Sequence, residues 1–281
     1  MPLTIGTNIG ALWASAAITS HQRGAETAIA RLASGKRINS SADDPAGVAI
    51  ASRMNSEIRS TSQAIRNALD GQALLDTAEG GHKEVENILQ RMREIAVQAA
   101  NDTNSAQDRD NLNAEMKALS TEIDRISSVT SWAGQNLMGE GRSQFSFQVG
   151  TSINAKSAIT VPINSMSANT LSVDHAAVSV NGPEASRSAI SAIDGAITLV
   201  NSQRSMLGAT SNRLSYAVNN LTNVSNNLTA ALGRIQDADY AAEITALAKH
   251  QILQKAAMAM LAQANASKGY IPTLLRSLNK I

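Results

Sequence analysis

The stretch VENILQRMREIAVQA, residues 85–99, decides how the rest of the chain reads. Val85, Leu89, Met92, Ala96 and Ala99 recur in it by steps of four and three. An α-helix turns every 3.6 residues, so this spacing lays one narrow apolar stripe along a helix. The other faces carry mostly Glu, Asn, Gln and Arg. A stripe only two positions wide per heptad buries little alone and requires a partner helix, within the chain or in another copy.

Working outward, Asn101-Asp102-Thr103-Asn104-Ser105 breaks the pattern, and Leu112, Met116, Leu119, Ile123 and Ile126 resume it. Upstream, Val48, Ile50, Met54, Ile58, Ile65, Leu69 and Leu75 form one long helical run whose first strong stop is Gly80-Gly81. Asp44 is placed to cap that run, with Pro45 at its first position. Before it, Ile9, Leu12, Ala16, Ala25, Ile29 and Leu32 mark a first helix, closed by Gly35. The period changes between residues 141 and 182. Gln144–Gly150 alternates polar and apolar, and Ala158–Ile163 is short and β-branched, so the two predict a hairpin. Leu171, Val173, Val178 and Val180 suggest weaker extended structure, and His175–Pro183 reads as a surface excursion. From about Pro183 helical spacing returns through Leu214, Val218, Leu221, Ser225, Leu228, Leu232 and Ile235. It hesitates at Asp237–Tyr240, then continues through Ile244, Leu247, Ile252, Met258 and Leu261. The expected fold is mainly α: an elongated antiparallel helical bundle or coiled coil with a small β-hairpin in mid-chain.

Composition agrees. Aromatics are 2% of 281 residues, so aliphatic and small side chains must fill the core, which suits closely packed helices. A net charge of +1 offers no basic stripe for nucleic acid. There is no cysteine, hence no disulfide framework or thiolate metal site. The opening MPLTIGTNIG lacks a basic and then apolar leader, and no run of about 18 apolar residues is present, so neither a cleavable secretion signal nor membrane insertion is expected. The terminal helices are rich in Ala and small polar residues, marginal in isolation, and expected to order on assembly.

Several blocks carry a resemblance to the bacterial flagellins: Thr7–Leu12, Ala28–Met54 with Asp43-Asp44-Pro45-Ala46-Gly47, Leu89–Asn101, Ser202–Ala209, Asn226–Ala231, Arg234–Asp239 and Ala259–Asn265. The similarity spans roughly residues 4–140 and 185–265. It implies that residues 1–42 and 237–281 are the two halves of an inner filament-core domain. Residues 43–140 and 183–236 would form a rod-like bundle, and 141–182 a hairpin with a reduced outer domain. It further implies a secreted, extracellular subunit of the swimming filament. That subunit is a homopolymer of itself, exported unfolded with a chaperone through the flagellar export apparatus, and meeting cap and hook-junction proteins. The alternative is a hook–filament junction protein on the same scaffold. Ile5, Ile9, Leu12, Ile29, Leu32, Ile244, Leu247, Ile252, Met258 and Leu261 are the polymerisation candidates. The resemblance also nominates Leu89, Arg91, Ile95 and Glu115 for recognition by the innate immune receptor Toll-like receptor 5. Two features depart from the family pattern: Trp13 is bulky for a crowded core helix, and Ser277–Ile281 extends past the usual Leu-Leu-Arg finish at Leu274–Arg276.

An enzyme is not expected. His21, His82, His175 and His250 are scattered, and no HExxH, P-loop or nucleophile-elbow motif is present. Asp43-Asp44, Asp237 and Asp239 read as turn and cap residues in preference to metal ligands. No cofactor, catalytic residue or metal site is assigned. An adhesin would need an aromatic platform, and residues 141–182 offer only Phe145 and Phe147.

Overall fold

A computed structural model describes residues 7–139, 143–152 and 154–278. Within them the chain forms five α-helices and two small antiparallel sheets of two strands each. It divides into two units. One joins the residues up to Ser56 to those from Leu228 onward; the other is Glu57–Asn227.

The first helix, α1, is Ile9–Ser34. The Asn8 side chain caps it by accepting from the Ala11 amide at 3.1 Å, and Gly35 ends it at φ +68°, a conformation costly for any residue with a Cβ. Helix α2 follows as Pro45–Ala99, with the Asp44 carboxylate accepting from the Gly47 amide at 2.9 Å. The expected stop at Gly80-Gly81 does not occur, because α2 runs through both glycines. A Cβ on Gly81 would lie 2.6 Å from the Met138 sulfur and 3.1 Å from the Thr130 hydroxyl. Gly81 therefore serves close packing, and that packing offsets a helix-propensity cost of about 1 kcal/mol per glycine.

Helix α3, Ala106–Val129, begins in a reciprocal capping box. The Ser105 hydroxyl accepts from the Asp108 amide, and the Asp108 carboxylate accepts from the Ser105 amide. A minimal hairpin follows, β1 (Ser131–Trp132) with β2 (Gln135–Asn136), turned by Ala133 and Gly134 at φ +47° and +82°. The predicted hairpin is present as β3 (Ser143–Gln148) and β4 (Ala158–Ile163), in a register that pairs Phe145 with Val161 and Phe147 with Ile159. It docks where α2 has no side chain: a Cβ on Gly71 would lie 2.9 Å from the Phe147 ring. On its other side Gln203 donates to the Pro162 carbonyl at 2.8 Å. Helix α4 is Pro183–Gln236 and α5 is Tyr240–Leu278.

The segment before α4 corrects the sequence reading. Leu171, Val173, Val178 and Val180 form no strand, and they are buried. Val178 and Val180 lie within the expected surface excursion, yet neither is exposed at all. Side chains take the place of a strand ladder in fixing this backbone. Asp124 accepts from the Ala168 amide at 2.8 Å, and Asn113 from the Val180 amide at 3.2 Å. The segment thereby joins α2, α3, α4 and the hairpin in one core containing Leu89, Met92, Met116, Ile123, Ile193 and Leu207.

Candidate functional site

The terminal helices α1 and α5 pack antiparallel. Asn8 donates to the Ala264 carbonyl at 3.0 Å, Arg31 pairs with Glu243 at 3.0 Å, and the Tyr240 hydroxyl donates to the Leu32 carbonyl at 2.9 Å. Each advance along α1 is matched by an equal retreat along α5, so one register holds throughout. The buried seam is made of small residues, Ala14, Ala25, Ala28 and Ala257, which let the backbones approach. The large apolar side chains lie elsewhere. Leu12 is 63% exposed and Ile252 67%, and Ile9, Ile29, Ile244 and Met258 are also exposed. Leu32, Leu247 and Leu261 are half-buried. Ile5 lies outside the described residues. Trp13, 76% exposed, and Met260 extend this set. Met260 sits off the apolar stripe, and spacing alone therefore does not select it.

Below this pair the chain turns twice at one level. Arg37 donates its amide to the Gln236 carbonyl at 2.7 Å, and Ala238 to the Gly35 carbonyl at 3.0 Å. The acidic residues here are structural. Asp43 accepts from the Ser40 and Asn39 amides, which hold its carboxyl below the usual carboxylate range. Asp239 caps α5 by accepting from the Ala241 and Ala242 amides.

The receptor candidates separate. Arg91 and Glu115 are exposed and joined by two hydrogen bonds of 2.9 and 3.1 Å, and Arg91 also reaches Glu94 at 2.9 Å. Those carboxylates, Glu115 foremost, raise the guanidinium pKa further. Leu89 and Ile95, nominated with them, are fully buried in the core.

The histidines are less scattered than the sequence suggests. His21 and His250 face each other from α1 and α5 with ring centroids 5.7 Å apart. His82 is buried in the larger unit, its Nδ1 hydrogen-bonded to the Ala78 carbonyl at 2.6 Å and its Nε2 without a partner. Burial lowers its pKa. Among the described residues no group of three or more His, Asp or Glu side chains could hold a metal ion. No described helix is long and apolar enough to cross a membrane.

Two family models match the chain: the N-terminal helical region of bacterial flagellin over residues 5–141 and its C-terminal helical region over 190–275. The chain belongs to the bacterial flagellin family. A flagellin of Halalkalibacterium halodurans is 39% identical over 251 residues, covering 89% of this chain and 92% of that protein. Polar flagellin F of Vibrio parahaemolyticus is 40% identical over 166 residues, covering 59% of this chain and 44% of its own length. The chain thus spans nearly all of one relative and under half of the other. Among solved structures, the crystal structure of Bacillus cereus flagellin is similar at 30% identity, with a TM-score of 0.47, covering 59% of this chain and 94% of that one. Flagellins are structural subunits of the extracellular filament used for swimming, and membership gives the chain that structural role.

Proposed function

We propose that the chain polymerises through α1 and α5, with Ile9, Leu12, Ile29, Ile244, Ile252 and Met258 as the surface that neighbouring copies cover. The observation that carries this reading is the division of labour on the helix pair: alanines fill its own seam while large apolar side chains stay exposed. Scattered exposed leucines are ordinary, but this many on one helix pair mark an interaction surface. Residues 1–42 and 237–281 would then build the inner core of the filament, and 43–140 with 183–236 its surrounding bundle. Until assembly the same surface needs shielding, the task of an export chaperone. The export apparatus, the cap and the hook-junction proteins act on the same ends.

Electron microscopy after adding sheared filament seeds or a precipitating salt tests this. The intact chain should give long filaments. Leu12→Asp with Ile252→Asp should keep its helix content and give none. Filaments from that variant would overturn the reading, and short hook-tip assemblies from the intact chain would move it to a junction protein.

The free subunit also presents Arg91 and Glu115, and we propose these as its contribution to recognition by Toll-like receptor 5, with Leu89 and Ile95 only supporting them from beneath. Their exposure supports this part. Arg91→Ala should weaken receptor signalling by the monomer without altering its thermal unfolding; unchanged signalling would exclude it.

A further inference from the structure

We infer that His21 and His250 form a two-histidine site for a divalent transition-metal ion of the Zn2+ or Ni2+ class, clamping α1 to α5. The inference rests on the α1–α5 pairing that carries the proposed assembly. The two residues lie 229 positions apart in sequence, and the fold sets their rings 5.7 Å centre to centre, tilted by 46°. The Nδ1 of His250 is buried and has no hydrogen-bond partner. The cost of hiding an imidazole nitrogen unpaired is removed when that nitrogen binds an ion.

Gly24 sets the position of the ring. A Cβ there would lie 2.4 Å from Cε1 of His250 and 2.6 and 2.7 Å from Nε2 and Nδ1. His250 therefore lays the face of its ring, at the Cε1 end, on bare α1 backbone, one turn from His21. Zinc–imidazole bonds of about 2.0–2.1 Å put the centres of two rings on one tetrahedral ion about 5 Å apart, within a small side-chain rotation of the observed spacing. Neutral imidazole suits Zn2+, Ni2+ and Cu2+ in preference to Mg2+ or Ca2+. No third protein donor joins the pair among the described residues, so water completes the shell. Closed structural zinc sites use four protein ligands, so this one is exchangeable: it reinforces the helix pair and does not fold the chain.

The competing account is that His250 only fills the space opposite Gly24. Zn2+ titration against a chromophoric chelator at about pH 8, on the full chain as monomer and as seeded filament, separates the two. A single ion per chain is expected. Affinity should fall about tenfold or more in His21→Ala and in His250→Ala, and stay unchanged in His175→Ala. Gly24→Ala keeps both histidines and favours helix, yet its methyl group takes the place of the ring, so it should lose affinity as well. Equal zinc binding by the natural chain and the His21→Ala/His250→Ala double variant would overturn the site. Microscopy of the same samples reads assembly independently. Filaments without a histidine-dependent zinc signal would end this inference alone, and an intact chain that never polymerises would end the assembly reading alone.

Discussion

The two units of this chain solve burial differently. Glu57–Asn227 encloses Leu75, Leu89, Met92, Ile95, Met116, Ile123, Ile193, Leu207 and Leu214 almost completely. In the terminal unit the buried set is Ala14, Ala25, Ala28, Ile38, Ala51 and Ala257. Burial stabilises by roughly 25 cal/mol per Å2 of apolar surface, so a core of large aliphatic side chains sustains itself while a seam of alanines contributes far less. Directional contacts, Arg31 with Glu243 and Asn8 with Ala264, hold the terminal register instead. In the terminal unit the large apolar groups Leu12, Trp13, Ile244, Ile252 and Met258 stay exposed on α1 and α5.

The comparison breaks most directly at Leu89. Leu89→Ala should cost about 2–5 kcal/mol, read as a lower midpoint in thermal unfolding, because a fully buried leucine leaves a cavity. An unchanged midpoint would mean that the larger unit is not the packed one.

Acid offers a smaller lever on the same unit. Nδ1 of His82 donates to Ala78, leaving Nε2 as an unprotonated, unpaired acceptor, and burial lowers the folded pKa. Glu79 works against that shift and Arg204 with it. The unfolded ring titrates near about 6.5, so the unfolded state binds the extra proton first. Stability is therefore full above that value. It should fall by up to about 1.4 kcal/mol per pH unit as pH drops below it, until the lowered folded value is reached. Thermal midpoints measured against pH should show this slope, and His82→Leu should flatten it.

Next in size is the α3 cap. Ser105→Ala removes one half of the capping box and should cost about 1 kcal/mol in denaturant unfolding. Smallest of all is Leu12→Ala. On the monomer it should stay within about 0.5 kcal/mol, because the side chain is already exposed, and yet it should slow filament growth. A large loss of monomer stability there would erase the distinction between the units.

Much of this was legible in the residues. The step of four and three made α2, α3 and α4 visible. Gly35, Asp44-Pro45 and Asp237–Tyr240 marked real boundaries, and the switch to alternation at Gln144 gave β3 and β4. What stayed hidden depended on neighbours distant in sequence. Gly80-Gly81 looks like a break until Met138 and Thr130 are packed against Gly81. The β1–β2 turn uses Ala133-Gly134, where Asn-Gly would have been the recognisable signal. Val178 and Val180 carry the spacing of a surface strand, and only the core of α2, α3 and α4 reveals what they fill. Of the candidate site, spacing located the apolar stripe. It could not tell that alanines would take the inner face, or that Leu89 and Ile95 would turn away from Arg91. The His21–His250 pair depends on the register between the chain's two ends, which no local pattern encodes.

The scarcity of aromatic residues has an optical consequence. The chain has two tryptophans, and the fold gives one to each unit. Trp13 stands 76% exposed on α1, while Trp132 is half-buried against the larger core. Their emission should differ in the monomer, with Trp13 the more water-like and the more readily quenched by iodide. As filaments grow, the fluorescence of Trp13 should move to the blue and lose its quencher access while that of Trp132 holds steady. The protein thus carries its own dye for the surface proposed to be covered on assembly, with an internal reference in the other unit.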